Sequence, residues 1–153
     1  MRIGHGMDIH RLIPQKKLVL GGVIIPSEKG EDGHSDGDVL IHALIDALFG
    51  ATANGDIGSH YPPSDNKYKN IDSILLLKDA LLIANCKIYN VDSTIILERP
   101  KLREHIDAIR ESLSKLLNLD LSLISVKAKT AEGILGELGA GDAIAAEVVI
   151  LID

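Results

Sequence analysis

Asp8 and His10 stand two residues apart in the opening stretch Gly4-His5-Gly6-Met7-Asp8-Ile9-His10-Arg11. On an extended strand, residues i and i+2 point to the same face, so a carboxylate and an imidazole project side by side. These are two of the three protein donors that a zinc ion takes when it keeps a fourth position open. A second dense stretch, Gly33-His34-Ser35-Asp36-Gly37-Asp38-Val39-Leu40-Ile41-His42, can supply the third. Leu40, Leu44, Ala47 and Leu48 recur at helical spacing, which predicts a helix over 38–49 with Gly50 as its stop. On that helix Asp38, His42 and Asp46 fall four apart and form a polar stripe. Alone, such a stripe reads as a solvated face with an incidental histidine. It reads differently here because Asp8 and His10 need a third ligand. Metal-bound histidines also lean on a carboxylate, a role open to Asp38 or Asp46.

The elements that must position these groups follow from the hydrophobic pattern. Residues 1–10 read as the first strand. Gly21-Gly22 separates two short extended pieces, a hairpin signal. Residues 26–36 are polar and glycine-bearing and read as a loop, with His34, Ser35, Asp36 and Asp38 crowded near its end. Residues 54–70 form a long connection, the kind that is often functional. A helix over 72–84, a strand over 87–97, a helix over 102–117, a strand over 122–128, a turn over 129–133 and a strand over 142–152 complete the order. This predicts an α+β fold of two layers: a mixed four-stranded sheet with helices packed on one face, plus a small N-terminal hairpin. The last strand is apolar on both faces, so both faces need cover. A second copy of the chain is expected to supply the outer layer.

The 153 residues amount to one domain, expected over 1–153. Aromatics are scarce, with three Tyr, one Phe and no Trp, so the core must be aliphatic. A net charge of -6 argues against a nucleic-acid partner, which usually meets a basic surface. An anionic small ligand remains compatible, because a bound cation and a few lysines make a local positive site in an acidic protein. The lone Cys86 excludes an internal disulfide and suits a reducing compartment. No apolar run reaches the ~18 residues of a membrane span, and no secretory leader is evident, so no membrane partner and a cytoplasmic location are expected.

Taken in order, the motifs resemble those of the 2-C-methyl-D-erythritol 2,4-cyclodiphosphate synthase family. They are Gly6-Met7-Asp8-Ile9-His10-Arg11, His34-Ser35-Asp36-Gly37-Asp38-Val39 with His42-Ala43, and Gly55-Asp56-Ile57-Gly58. Asn90-Val91-Asp92, Glu98-Arg99-Pro100-Lys101-Leu102 and Lys127-Ala128-Lys129-Thr130-Ala131-Glu132 follow. The resemblance covers essentially the whole chain. It implies an isoprenoid-pathway lyase in which a substrate 2-phosphate attacks the β-phosphorus of a cytidine diphosphate ester and CMP leaves. It also implies a homotrimer with active sites between subunits.

Residue by residue, the resemblance implies that Asp8, His10 and His42 bind Zn²⁺, with Asp8 and His10 also touching substrate. His34 and Thr130 would stabilise the transition state. Glu132 would bind a second divalent ion, Mg²⁺ or Mn²⁺. Ser35, Asp56, Ile57 and Gly58 would hold the methylerythritol 2-phosphate end, Asp65 would contact the sugar alcohol, and His34 would also touch substrate. Pro100, Lys101, Leu102 and Arg103 would line the cytosine pocket, with Lys101 and Lys129 near the phosphates, and Thr130, Ala131 and Glu132 would also touch substrate. Residues 62–69 are expected to move.

The chain departs from the family pattern at Gly136-Glu137-Leu138-Gly139-Ala140-Gly141-Asp142, where relatives carry a phenylalanine and an arginine. In relatives these line a trimer-axis cavity that can hold an isoprenoid diphosphate. Without the arginine, charge-assisted contacts to a diphosphate are lost, so no such ligand is expected here.

Two other readings share the metal residues. A zinc phosphoesterase would use Asp8, His10 and His42 equally well, but leaves the Thr130/Glu132 turn and the Pro100-Lys101 break unexplained. A metal-stabilised trimer that only binds nucleotides is the non-catalytic alternative.

Overall fold

A computed structural model describes residues 1–33 and 35–153. The first strand, β1 (Arg2–Pro14), runs four residues past its expected end. Its side chains alternate: Gly4, Gly6, Asp8, His10 and Leu12 face inward, while Ile3, His5, Met7 and Ile9 face out. β2 (Leu18–Leu20) and β3 (Val23–Ile25) form the expected hairpin across Gly21-Gly22, both at positive φ.

β4 (Lys29–Asp32) is a correction, because it lies inside the stretch read as a loop. It pairs antiparallel with the Arg11–Pro14 end of β1 at the edge of the sheet. Its residues, Lys-Gly-Glu-Asp, show no apolar alternation, so pattern alone does not reveal it. The sheet therefore has five strands rather than four, in the order β4-β1-β7-β5-β6. β5 (Ile88–Ile96) and β6 (Ile124–Lys129) pair in parallel, and β7 (Ala143–Ile152) runs antiparallel to both β1 and β5, so the sheet is mixed as expected.

The main helices are α1 (Val39–Thr52), α3 (Ser73–Ala84) and α4 (Ile106–Leu117). Two single turns, α2 (Ile57–His60) and α5 (Glu137–Ala140), complete the set. α1 does not stop at Gly50; it runs on to Thr52 and closes on a left-handed Ala53. Gly50 lies within the helix rather than at a positive φ, so it carries no stop signal. α1 lies against β1 and β7 on one side and α3 on the other, and α4 covers β6. Val39, Leu40, Ile41, Leu44, Ile45, Leu48 and Phe49 are all buried, so the helix has no solvated face. The expected polar stripe of Asp38, His42 and Asp46 is instead interior or half-interior. The inner residues of β7, Ile144, Ala146, Val148, Ile150 and Ile152, are buried beneath these helices. The outer face of β1 and β7 leaves Ile3, Met7, Ile9 and Val149 exposed. Among the described residues no helix is long and apolar enough to cross a membrane.

Candidate metal centre and its neighbouring cleft

β1 carries Asp8 and His10 on its inner face, and α1 brings His42 down over them one turn into the helix. His10 Nε2 and His42 Nδ1 lie 2.9 and 3.0 Å from the same Asp8 oxygen. One donor atom from each of the three residues falls within 4.8 Å of the others. The second nitrogen of each ring is anchored: His10 Nδ1 donates to the Gly37 carbonyl at 2.8 Å. His42 Nε2 lies 2.9 Å from both Ser35 Oγ and Ser73 Oγ. Each ring is thus pinned through one nitrogen and turns the other towards Asp8. Two imidazole nitrogens and a carboxylate oxygen at this spacing fit a tetrahedral divalent cation with bonds of ~2.0–2.1 Å, and one position stays open. Among the described residues no other group of three such side chains converges in this way.

The charges agree with that assignment. Burial pushes the Asp8 carboxyl up, but hydrogen bonds from His10 and His42 outweigh it and hold Asp8 well below the usual carboxylate range. Burial pushes His10 down, and the Asp8 hydrogen bond and charge outweigh this to leave it raised. Asp8 and His10 therefore stabilise each other's charged forms, and a cation competes with protons for the ring nitrogens.

The carboxylate expected behind His42 is neither Asp38 nor Asp46. Asp38 is fully buried and accepts from the backbone nitrogens of Gly21, Gly22 and Ile41, which caps α1 and ties it to the β2–β3 hairpin. Asp46 accepts from Ile57 N at 2.7 Å and so fastens α2 to α1. Both spend their oxygens on backbone amides, which helical spacing does not disclose.

The triad opens into a cleft of about 190 Å³ that also meets Ser35, Ile57 and Gly58. Its apolar wall comes from Tyr61, Pro63, Tyr68 and Leu76. Tyr61 packs between Phe49 and Tyr68, with ring centroids 6.3 and 5.4 Å away. Three of the chain's four Phe and Tyr residues thus gather beside the triad, a concentration that sequence reasoning missed. Their scarcity, with Tyr61 and Tyr68 both in the long 54–70 connection, was the signal available. Asp56 caps α2 through Ser59, and Asp65 caps the single turn Asn66–Tyr68; neither lines this cleft. His34 lies outside the described residues.

The remaining predicted residues form a second group. Lys101, Leu102, Arg103, Lys129 and Thr130 line a groove of about 860 Å³ between α4 and the edge strand β6. Lys127 in the same groove pairs with Asp92. Ala131 N donates to Glu98 Oε2, and Thr130 Oγ1 donates to Glu132 Oε1 at 2.7 Å. Pro100, which follows a cis peptide bond, opens instead into an adjoining cleft with Arg99 and Lys29. Asp8, Ala146, Ile95 and Ala128 stand in one row across β1, β7, β5 and β6. Three strand spacings, roughly 14 Å, therefore separate the two groups within a chain. The triad cleft and the groove share no lining residue.

Known proteins are similar to this chain along its length. A 2-C-methyl-D-erythritol 2,4-cyclodiphosphate synthase of Clostridium perfringens is 52% identical over 155 residues, covering 99% of each chain. A solved 2C-methyl-D-erythritol-2,4-cyclodiphosphate synthase in a CDP-bound form superposes with a TM-score of 0.91 at 38% identity, covering 99% of this chain and 100% of that one. The bifunctional IspDF of Campylobacter jejuni matches with a TM-score of 0.92 at 37% identity; 97% of this chain is covered, but only 41% of that longer one. The YgbB family model spans residues 1–153. With the whole chain inside that model and half its residues shared with a curated synthase, the chain belongs to the YgbB family.

Proposed function

We propose that this protein converts 4-diphosphocytidyl-2-C-methyl-D-erythritol 2-phosphate to 2-C-methyl-D-erythritol 2,4-cyclodiphosphate with release of CMP. The observation that carries the proposal is the Asp8/His10/His42 triad, whose three donors converge beside Ser35 and the Ile57-Gly58 turn. Relatives named for this reaction, one of them solved with CDP, support the substrate class.

The triad would hold Zn²⁺, which when bound supplies Lewis-acid polarisation and a fixed seat for a β-phosphate oxygen. No protein nucleophile is required, because the substrate carries its own attacking phosphate. The chain's task is to hold attacking and leaving oxygens in line and to donate to the phosphoryl oxygens as charge builds there. Ser35 would hold the 2-phosphate end together with Asp56, Ile57 and Gly58, and Asp65 would contact the sugar alcohol. His34 and Thr130 would donate to the phosphoryl oxygens. Lys101 and Lys129 would neutralise the diphosphate; Pro100, Leu102 and Arg103 would enclose the cytosine end, and Ala131 would also touch substrate. Glu132 would hold Mg²⁺ or Mn²⁺, which would supply charge neutralisation to the diphosphate.

The separation of the triad from the Lys101–Thr130 groove supports a homotrimer in which one subunit's metal centre meets its neighbour's groove. The exposed Ile3, Met7, Ile9 and Val149 face would be the surface covered. The axis of that trimer would lack an arginine from residues 136–142 and would bind no isoprenoid diphosphate. A single domain over 1–153, working in the cytoplasm, completes the proposal.

The test is ³¹P NMR of the cytidine diphosphate substrate with Zn²⁺ and Mg²⁺, the unmodified protein beside His42→Ala. A cyclic diphosphate signal with CMP, absent in the variant, is the expected result. CMP with an open-chain product carrying solvent ¹⁸O would identify a phosphoesterase instead.

A further inference from the structure

Ser73 begins α3, far along the chain from the metal residues, yet its hydroxyl is fully buried against His42. Ser73 Oγ lies 2.9 Å from His42 Nε2 and also contacts Asp36 Oδ1. A serine hydroxyl has one proton, and an ionised carboxylate can only accept. The Ser73 proton therefore goes to Asp36, and the Ser73 oxygen must accept from His42. That requires Nε2 to keep its hydrogen, so Nδ1, which faces Asp8, is the nitrogen that gives up its proton where a cation would bind.

Asp36 is itself clamped. Its Oδ2 accepts from Ser73 N at 3.1 Å, its Oδ1 from Asp38 N at 3.2 Å, and its own N donates to the Ile71 carbonyl at 3.0 Å. The carboxylate sits over the first free amide of α3, where the helix dipole favours negative charge.

Ser35 is the other hydroxyl near Nε2, but it is ambivalent. It accepts from Gly37 N and has no carboxylate behind it, so its proton can point to His42 Nε2 or to Ser73 Oγ, 3.3 Å away. Only Ser73 has a fixed polarity.

We propose that Ser73, oriented by Asp36, is a positioning residue for the metal centre: it sets the tautomer and ring plane of His42 so that Nδ1 faces the cation. This rests on the metal-centre reading above, and Ser73 touches neither substrate nor metal.

The experiment is Zn²⁺ affinity by chelator competition on the unmodified protein, His42→Ala, Ser73→Ala and Ser73→Thr, with the visible spectrum of the Co²⁺ forms alongside. Loss of such an outer hydrogen bond typically weakens metal binding about 10- to 100-fold. That loss is expected for Ser73→Ala, with an altered Co²⁺ spectrum, a lowered kcat and little change in KM. Ser73→Thr, which keeps the hydroxyl, is expected to recover most of it. Equal affinity in Ser73→Ala and unmodified protein overturns the role of Ser73 and leaves the metal centre standing. Equal affinity in His42→Ala and unmodified protein overturns the metal centre itself. Should Ser73→Ala fail to fold, ¹⁵N NMR of the zinc-loaded unmodified protein decides. A hydrogen on His42 Nε2 supports the proposal, and an unprotonated or metal-bound Nε2 defeats it.

Discussion

Gly6 on β1 lies so close beneath Ala43 on α1 that a Cβ added to Gly6 would stand 2.0 Å from the Ala43 carbonyl oxygen. One turn further along, a Cβ on Gly4 would stand 1.9 Å from the Ala47 carbonyl oxygen. These glycines let the helix backbone rest on the strand. The same contact sets the 3.0 Å reach from His42, beside Ala43, to Asp8, two residues after Gly6.

Gly6→Ala is therefore expected to do two things at once. The helix must move away from β1, at a cost of about 3 kcal/mol or more, the upper range for overpacking against backbone. Zn²⁺ affinity should fall with it, because His42 leaves Asp8. Urea melts and chelator competition measure the two effects; unchanged affinity in a folded variant would separate helix seating from the metal site.

Metal binding should weaken in acid. His10 is raised and Asp8 is lowered in the metal-free fold, so their ion pair is strongest in mild acid. The His10 contribution to stability is full below its ordinary 6.5 and is lost as pH rises through its raised value. The Asp8 contribution is present above its ordinary 3.8 and is lost only as pH falls through its lowered value. A cation must displace the His10 proton, which costs up to about tenfold in affinity per pH unit below the raised value. Zn²⁺ at a thousandfold excess over Kd stabilises by about 4 kcal/mol. The difference in Tm between zinc-loaded and chelator-treated protein should thus shrink from pH 8 to pH 5. A constant difference across that range would count against direct binding by His10.

The metal pair was legible because it depends on local geometry: Asp8 and His10 share a strand face, and strand period is a property of the chain itself. His42 was legible only through the demand for a third ligand. What supports it was not. Asp36 and Ser73 are separated by a long stretch of sequence, and Ser73 reads as an ordinary first residue of a helix. Strand β4 escaped for a related reason: an edge strand held by main-chain pairing needs no apolar alternation, and Lys29–Asp32 has none. The helices and central strands were legible to within a few residues because Leu and Ile periodicity drives their burial. The mistaken stop at Gly50 came from reading a glycine without its φ.

Glu31 offers a test away from the metal. It is buried beside Asp38 and accepts from Val39 N and Val19 N. Burial, then the charge of Asp38, pushes its carboxyl from 4.5 up to about 10. Between those values the unfolded chain gives up the proton and the folded chain keeps it. The contribution of Glu31 to stability is therefore full below about 4.5 and is lost as pH rises towards 10. Glu31→Gln does not titrate. The stability of the unmodified protein relative to Glu31→Gln should fall as pH rises from 5 to 9, by up to about 1.4 kcal/mol per unit. Paired urea melts at several pH values read this directly, and a flat difference would mean that Glu31 is ionised in the fold.

In the proposed trimer the outer sheet face links assembly to activity. Ile3 is 72% exposed, and Val149 lies on the same face of the neighbouring strand at 42%. Fully burying an aliphatic side chain is worth ~1.5–3 kcal/mol, and in a trimer each substitution acts three times. Placing carboxylates there reverses that gain, because they would be buried without partners. The double variant Ile3→Glu, Val149→Glu should run as a monomer in light scattering, where the unmodified protein should run as a trimer. It should keep its Zn²⁺ affinity, since the triad comes from one chain, and lose turnover, since the neighbouring groove is gone. A monomer that still releases CMP at the unmodified rate would place the whole site within one subunit, and the ~14 Å between triad and groove would then have to close within the chain.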